Sequence, residues 1–154
     1  MNKKLYAAYG TDTNEALMGW KCPGSRVVAK SWLFDHQLVF HGHRQNAHAS
    51  IIHSEGYDVP VIVWEISELD EMALDRHEGV RSGHAKKDIV KIEVDGEMRE
   101  AIIYTVASES VGTPSDSYLD IMARGYKKFN LDVRVLNDAV IYANEHAAGA
   151  ATAI

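Results

Sequence analysis

Apolar and polar positions along the chain alternate between strand-like and helix-like periods, with strand-like stretches predominating before residue 67. Residues 5–9, Leu-Tyr-Ala-Ala-Tyr, form a continuous apolar run closed by Gly10 and the polar group Thr11, Asp12, Thr13 and Asn14. This reads as a short buried strand that ends in a turn. A short helix through Glu15, Ala16, Leu17 and Met18 is expected next, stopped by Gly19 and then by Pro23-Gly24. Four further stretches, 26–34, 37–43, 49–54 and 59–66, are rich in Val, Ile and aromatic residues and are separated by Asp, His, Gly and Pro. Each reads as a strand.

Ser67 then has the character of a helix N-cap, with Asp70 three residues on as the acidic half of a capping box. Leu69, Met72 and Ala73 give an i, i+3, i+4 apolar stripe, and Gly79 supplies the stop. Residues 88–94 and 99–106 flank Asp95-Gly96, a dipeptide suited to a tight hairpin because both positions accept positive φ. Thr113-Pro114 opens a helix with proline at its first position, and the apolar face of that helix would hold Tyr118, Ile121, Met122 and Phe129. A last helix from about Asp132 carries Val133, Leu136, Val140 and Tyr142. From Asn144 the chain turns Ala/Gly-rich and loses its period, so residues 144–154 read as a frayed tail behind one domain of residues 1–143. Strands with helices inserted and appended make an α+β protein. The strands, about six, are expected to close into a small mixed barrel surrounded by helices.

Composition narrows what such a domain does. At 154 residues the chain can bury a core without disulfides or metals, and 46% hydrophobic with 25% charged residues is ordinary for a globular fold. A formal charge of −6, with Lys86-Lys87 and Lys127-Lys128 as isolated basic pairs, argues against a nucleic-acid partner. The longest apolar runs, such as 59–64, are too short for a bilayer, so no membrane partner is expected, and Met1-Asn2-Lys3-Lys4-Leu5 does not lead into a signal-peptide apolar segment. Cys22 is the sole cysteine, which leaves no internal disulfide and fits a reducing, cytoplasmic setting.

Two segments carry candidate chemistry. In the turn Tyr9-Gly10-Thr11-Asp12-Thr13-Asn14, a strand ending in glycine and small polar residues can aim main-chain N–H groups at an anion or a developing oxyanion. The same cluster also suits an ordinary turn. Glu78 stands where the mid-chain helix stops, at the negative pole of its macrodipole. That pole, and any apolar wall beside it, would push the carboxyl pKa up toward the range useful for proton transfer near neutrality. A solvated glutamate in a Glu-Gly helix stop is the plainer alternative.

Taken together, and in this order, these segments resemble the signatures of the γ-glutamylcyclotransferase family, also called AIG2-like or butirosin-biosynthesis-type. Tyr9 to Asn14 resembles its first-strand turn, and Glu78-Gly79-Val80 resembles its helix ending in a catalytic Glu-Gly. Ala49-Ser50-Ile51-Ile52 before Pro60-Val61-Ile62-Val63-Trp64 is similar to its paired central strands. Pro114-Ser115-Asp116-Ser117-Tyr118, followed by Gly125, is similar to the start of its C-terminal helix. The likeness spans roughly residues 5–130 and implies a six-stranded barrel-like core. It also implies a pocket in which the α-amine of a small γ-glutamyl substrate attacks its own γ-carbonyl, releasing 5-oxoproline, or a related lactam, and an amine or amino acid. By the resemblance, Glu78 is the acid/base catalyst, Tyr9, Gly10, Thr11 and Asp12 cradle the substrate, and Tyr118 lines the same pocket. Ring closure of this kind needs positioning and proton transfer, with no metal and no organic cofactor.

The chain departs from that family at two positions. The family's turn usually reads Tyr-Gly-Ser-Asn, or Tyr-Gly-Thr in one branch, whereas position 12 here is Asp, which would repel a substrate carboxylate or receive a substrate ammonium. Ala85 stands where the family often has tyrosine, removing a hydroxyl and leaving space. Both departures motivate an alternative on the same fold, a small-molecule binding module. A third reading is a metal-dependent barrel hydrolase on His41 and His43, which share a strand face and are followed by His48 and His53. With no Cys pair or spaced carboxylate beside them, these imidazoles read more simply as surface or loop residues, and His77, which could orient or tune the adjacent Glu78, reads more simply as an exposed helix residue. Cys22 lacks a partner or base for nucleophilic work. Trp20, Trp32 and Trp64 are expected as core or pocket walls.

Overall fold

The structure, a computed structural model, describes residues 3–147. In chain order its elements are β1 (Lys4–Ala8), a 3₁₀ turn (Thr11–Thr13), α1 (Glu15–Lys21), β2 (Arg26–His43), β3 (Asn46–Ile66), α2 (Glu68–Glu78), β4 (Ala85–Val94), β5 (Glu97–Val106), α3 (Asp116–Lys128) and α4 (Val133–His146). The strands form one sheet in the order β2-β3-β1-β5-β4. β1 runs parallel to β5, and the other neighbours pair antiparallel.

The α+β class stands, but the barrel is not closed and the strands number five among the described residues. The four stretches between positions 26 and 66 are two long strands. Their polar interruptions are absorbed inside the ladder rather than forming loops. Register shifts fall between Val27 and Ala29 and between Phe34 and His36. Asp35 takes φ 60 and Gly56 takes φ 88, and the Gly56 N–H donates to Asp35 Oδ1 at 3.0 Å. Closure would require a main-chain ladder between the first and last strands. Instead, β2 and β4 meet where Ser31 Oγ donates to the carbonyl of Glu93 at 2.7 Å. The sheet is curled yet open.

The central strands are covered on both faces, and their side chains sort by the period of two. On β1, Leu5 and Ala7 enter one core while Tyr6 and Ala8 enter the other. On β3, Val59, Val61 and Val63 join Phe40, Met122, Tyr126 and Leu136 under α3 and α4. Ile62, Trp64 and Ile66 join Met18 of α1 and Leu74 of α2 on the opposite face. Ile103 and Ile102 of β5 divide in the same way. Continuous apolar runs at 5–9 and 59–64 are what strands buried on both sides require.

Several helix boundaries differ from the sequence expectation. α1 continues through Gly19 to Lys21, and Asn14 caps its start by accepting from Leu17 N–H at 3.2 Å. The Ser67–Asp70 capping box of α2 forms in both directions, at 3.1 and 3.0 Å. Two residues of its expected stripe, however, point outward: Leu69 is 77% and Met72 59% exposed, while Ala73 packs partly buried against the core and the buried positions are Asp70 and Leu74. The capping interaction turns the Asp70 side of the helix inward. Pro114 precedes the N-cap Ser115 rather than opening α3. α4 extends over 144–146, past the point where the apolar period fades, and the rest of the expected tail, from 148 on, lies outside the described residues. The Asp95-Gly96 hairpin is present, with φ 52 and 83. Among the described residues no helix is long and apolar enough to cross a membrane.

Candidate active site

Where β1 ends, Tyr9 and Gly10 lead into the 3₁₀ turn, and three contacts fix that turn. Thr13 N–H and Thr13 Oγ1 both donate to the Gly10 carbonyl, at 3.2 and 2.8 Å. Asn14 Nδ2 donates to the carbonyl of Ile121 in α3 at 3.1 Å. Opposite the turn, α3 carries Gly125, where an added Cβ would come within 2.2 Å of Thr13 Oγ1 and 2.7 Å of the Thr13 carbonyl carbon. The helix backbone therefore rests directly on the turn, a closeness only glycine permits. Gly10 is also confined, since its Cβ would lie 3.2 Å from Ala49 Cβ and 3.6 Å from the Tyr118 hydroxyl.

Glu78 is the last residue of α2, and Gly79 follows in the left-handed conformation at φ 79, its N–H donating to the carbonyls of Asp75 and Arg76. One turn earlier, Asp75 locks this helix end to the sheet. Its Oδ1 accepts from the Tyr104 hydroxyl on β5 at 2.6 Å, and its Oδ2 accepts from Lys87 Nζ on β4 at 3.0 Å. The Tyr9 hydroxyl donates to the Tyr104 carbonyl, so one strand residue ties both halves of the site.

A cavity of about 620 Å³ opens between these segments. Tyr9, Gly10, Thr11, Asp12, Glu78 and Tyr118, all singled out in the sequence, line it together, as does Ala85. The half-buried Glu78 carboxylate accepts no hydrogen bond from the protein among the described residues and faces the cavity. Burial, and secondarily the negative charge of Asp12, push its pKa up from 4.5 to about 7, against a smaller downward pull from Lys21. The upward direction and the desolvation are as the sequence led one to expect, and the neighbouring acid is a cause it did not point to.

Asp12 is 2% exposed, and both oxygens of its carboxylate are engaged. Its Oδ2 accepts from the Tyr6 hydroxyl at 2.6 Å, its Oδ1 from Lys21 Nζ at 2.8 Å, and its carbonyl from Trp64 Nε1 at 3.0 Å. It is neither a bare charge awaiting a substrate ammonium nor an unshielded repeller of a carboxylate. Tyr118, in the first turn of α3, accepts from the Ala49 N–H at 2.9 Å, and its ring stacks on His48 at 4.9 Å and 4°. Burial holds its hydroxyl well above the usual phenol range.

Sequence reasoning missed Lys21 and His84, and it weighed His41, His43, His48 and His77 without bringing them together at this site. His41, His43, His48, His77 and His84 all line it, and His41 is buried rather than on the surface. Burial lowers the pKa of His41, His48 and His77, with Lys21 a further cause for the last two. They spring from β2, β3, α2 and the loop after it, so no local spacing announces them. Among the described residues no three His, Cys, Asp or Glu side chains converge as metal ligands. Trp64 is a buried wall, but Trp20 is 71% and Trp32 39% exposed, and Trp20 sits beside His77 with ring centres 5.3 Å apart. Cys22 is buried against the Asp70 carbonyl, its thiol pushed up to about 11 by burial.

With this geometry in hand, known proteins supply a context. The model of the AIG2-like family matches residues 58–135, a stretch that contains α2 with Glu78 and all of α3. No curated protein matches the sequence significantly. Among solved structures, a gamma-glutamyl cyclotransferase superposes with a TM-score of 0.81 at 23% identity, covering 90% of this chain and 86% of its own. An uncharacterised protein from Homo sapiens gives 0.81 at 24% identity, with coverages of 90% and 87%. YkqA from Bacillus subtilis gives 0.79 at 17% identity over 96% of this chain, which spans only 56% of that protein. At these identities the likeness is one of fold.

Proposed function

The chain belongs to the AIG2-like family, and from that premise we propose that it is a cyclotransferase acting on a small γ-glutamyl compound, with Glu78 as its acid/base. The observation that carries this reading is an unpartnered carboxylate with a pKa of about 7 facing the same cavity as the turn at Gly10. A base whose pKa lies near the working pH is half ionised there and can both accept and return a proton. In the proposed reaction the Glu78 carboxylate takes a proton from the substrate's α-amine as that nitrogen bonds to the γ-carbonyl carbon. Negative charge gathers on the carbonyl oxygen, where main-chain N–H groups of the turn at 9–12 would receive it. The bond to the leaving nitrogen then breaks, Glu78 returns the proton to that nitrogen, and 5-oxoproline and a free amine or amino acid depart. Asp75, held by Tyr104 and Lys87, keeps the helix end from drifting.

Turnover of a panel of γ-glutamyl amines and amino acids, read as 5-oxoproline released, tests this directly. Glu78→Gln is expected to lower the rate by about 10²- to 10⁴-fold, with ligand binding largely kept. Formation of 5-oxoproline by the Gln variant at the parent's rate overturns the role of Glu78. Ala85 lines the cavity with a methyl group where a polar donor would aid chemistry, which favours the binding-module alternative. Thermal stabilisation by these ligands without any product would select that alternative. A reducing, cytoplasmic location belongs to the same proposal and rests on the lone, buried Cys22.

A further inference from the structure

We propose that Lys21 is the anchor for a carboxylate at the reacting end of the ligand, with Asp12 serving to hold and aim its ammonium. The identity of that carboxylate, the α-carboxylate of a γ-glutamyl group, rests on the cyclotransferase reading. Lys21 closes α1, its side chain is 11% exposed, and it lines the cavity that Glu78 faces. An ammonium has three N–H donors. One goes to Asp12 Oδ1 at 2.8 Å, and no other protein acceptor takes the remaining two among the described residues. Asp12 cannot swing away, because Tyr6 and Trp64 hold its other oxygen and its carbonyl. The lysine is therefore pinned by one donor and free with two.

Its position suits the chemistry. Lys21 is the cavity's sole Lys or Arg among the described residues. Its charge acts on Glu78, His48 and His77, on Glu78 as a minor downward pull against a raised pKa. A γ-glutamyl head bears its amine and its carboxylate on one carbon. With the amine turned to Glu78, the carboxylate must lie close by, next to two acids of like charge. A cation lining the same cavity offsets that charge, and Lys21 supplies it. Asp12, at a position that should repel this ligand, instead keeps the attracting group in place.

The test compares 5-oxoproline with 2-pyrrolidinone, the same lactam without its carboxylate, by NMR titration of the full chain. Charged hydrogen bonds predict that the protein favours 5-oxoproline by about 10- to 100-fold. Lys21→Met alone would strand a buried acid, so Lys21→Met combined with Asp12→Asn is the informative variant. It is expected to bring the preference close to one, while Lys21→Arg keeps it. In the unsubstituted protein, the Lys21 side-chain resonances should shift with 5-oxoproline and not with 2-pyrrolidinone, which needs no variant to fold. A preference retained by the double variant, or absent from the start, overturns the anchor. If γ-glutamyl turnover is measured in parallel and persists in that case, the cyclotransferase reading survives without it. Lys21-dependent binding with no turnover sinks the enzyme and leaves the anchor standing.

Discussion

The turn after β1 and the far end of α2 each place one carboxylate on the same cavity, and the fold treats the two in opposite ways. Asp12 has both carboxylate oxygens and its carbonyl engaged, by Tyr6, Lys21 and Trp64. Glu78 is surrounded by protein yet accepts nothing from it among the described residues. A paired buried acid is a structural part whose charge is already balanced. An unpaired one pays for its ionisation and so keeps its proton to higher pH. The difference teaches which acid is available for chemistry. Burial alone does not distinguish them, because Asp12 is the more buried of the two.

The contrast breaks most forcefully at the pair itself. Lys21→Met leaves Asp12 charged and without its cation at 2% exposure, and it is expected to lower unfolding stability by about 3–5 kcal/mol in urea titrations. Adding Asp12→Asn should recover much of that loss, because the stranded charge goes with it. A loss below about 1 kcal/mol for Lys21→Met would mean the pair behaves like an exposed one. The supposed difference between the two acids would then vanish.

Glu78 should show the converse. Its pKa is raised in the fold, from 4.5 to about 7, so the folded state holds the proton more tightly than the unfolded chain does. Its contribution is whole below pH 4.5 and is lost as pH rises through 7. Removing the carboxylate therefore helps at high pH only. Glu78→Gln is expected to match the parent near pH 4 and to exceed it by about 3 kcal/mol at pH 8. A Gln variant that is no more stable than the parent at pH 8 would place Glu78 in an ordinary solvated setting.

What the sequence made legible follows from how local each cause is. The Ser67–Asp70 capping box, the Gly79 stop and the Asp95-Gly96 hairpin are decided within four residues, and all three are present. The apolar runs at 5–9 and 59–64 announced central strands for the same reason. The stripe on α2 misled because Leu69 and Met72 obey a helical period while the capping interaction turns Asp70 and Leu74 inward. The open five-stranded sheet was hidden because Asp35 and Gly56 look like loop residues. They are tolerated as irregularities in a ladder that only the long β2–β3 pairing sustains. Among the site's residues, Glu78 and the turn were findable as motifs. Lys21, nine residues from Asp12, has no spacing rule connecting it to its partner, and the histidines converge from four separate segments.

Between the two acids lies the scaffold that brings them together, and Gly125 probes it. A methyl at that position would sit 2.2 Å from Thr13 Oγ1 and 2.7 Å from main chain, so the turn or α3 must move. Gly125→Ala is expected to destabilise by about 1–3 kcal/mol. It should also lower turnover more than stability alone accounts for, because the displaced element is the turn carrying Asp12. An alanine variant with the parent's melting temperature and rate would show that the turn tolerates this contact.

Tyr118 gives the smallest effect and the cleanest control. Its hydroxyl accepts the Ala49 N–H at 2.9 Å, and Tyr118→Phe removes that acceptor while keeping the stacking on His48. The loss should be about 1 kcal/mol, the worth of one neutral hydrogen bond. Because burial holds the hydroxyl far above the phenol range, it carries no charge between pH 4 and 8. The Phe variant's deficit should therefore stay flat over the interval in which the Glu78→Gln advantage grows. A deficit that tracked pH in step with the Glu78→Gln advantage would mean the tyrosine and the glutamate titrate as one unit. The simple division between a satisfied wall and a single free acid would then have to be abandoned.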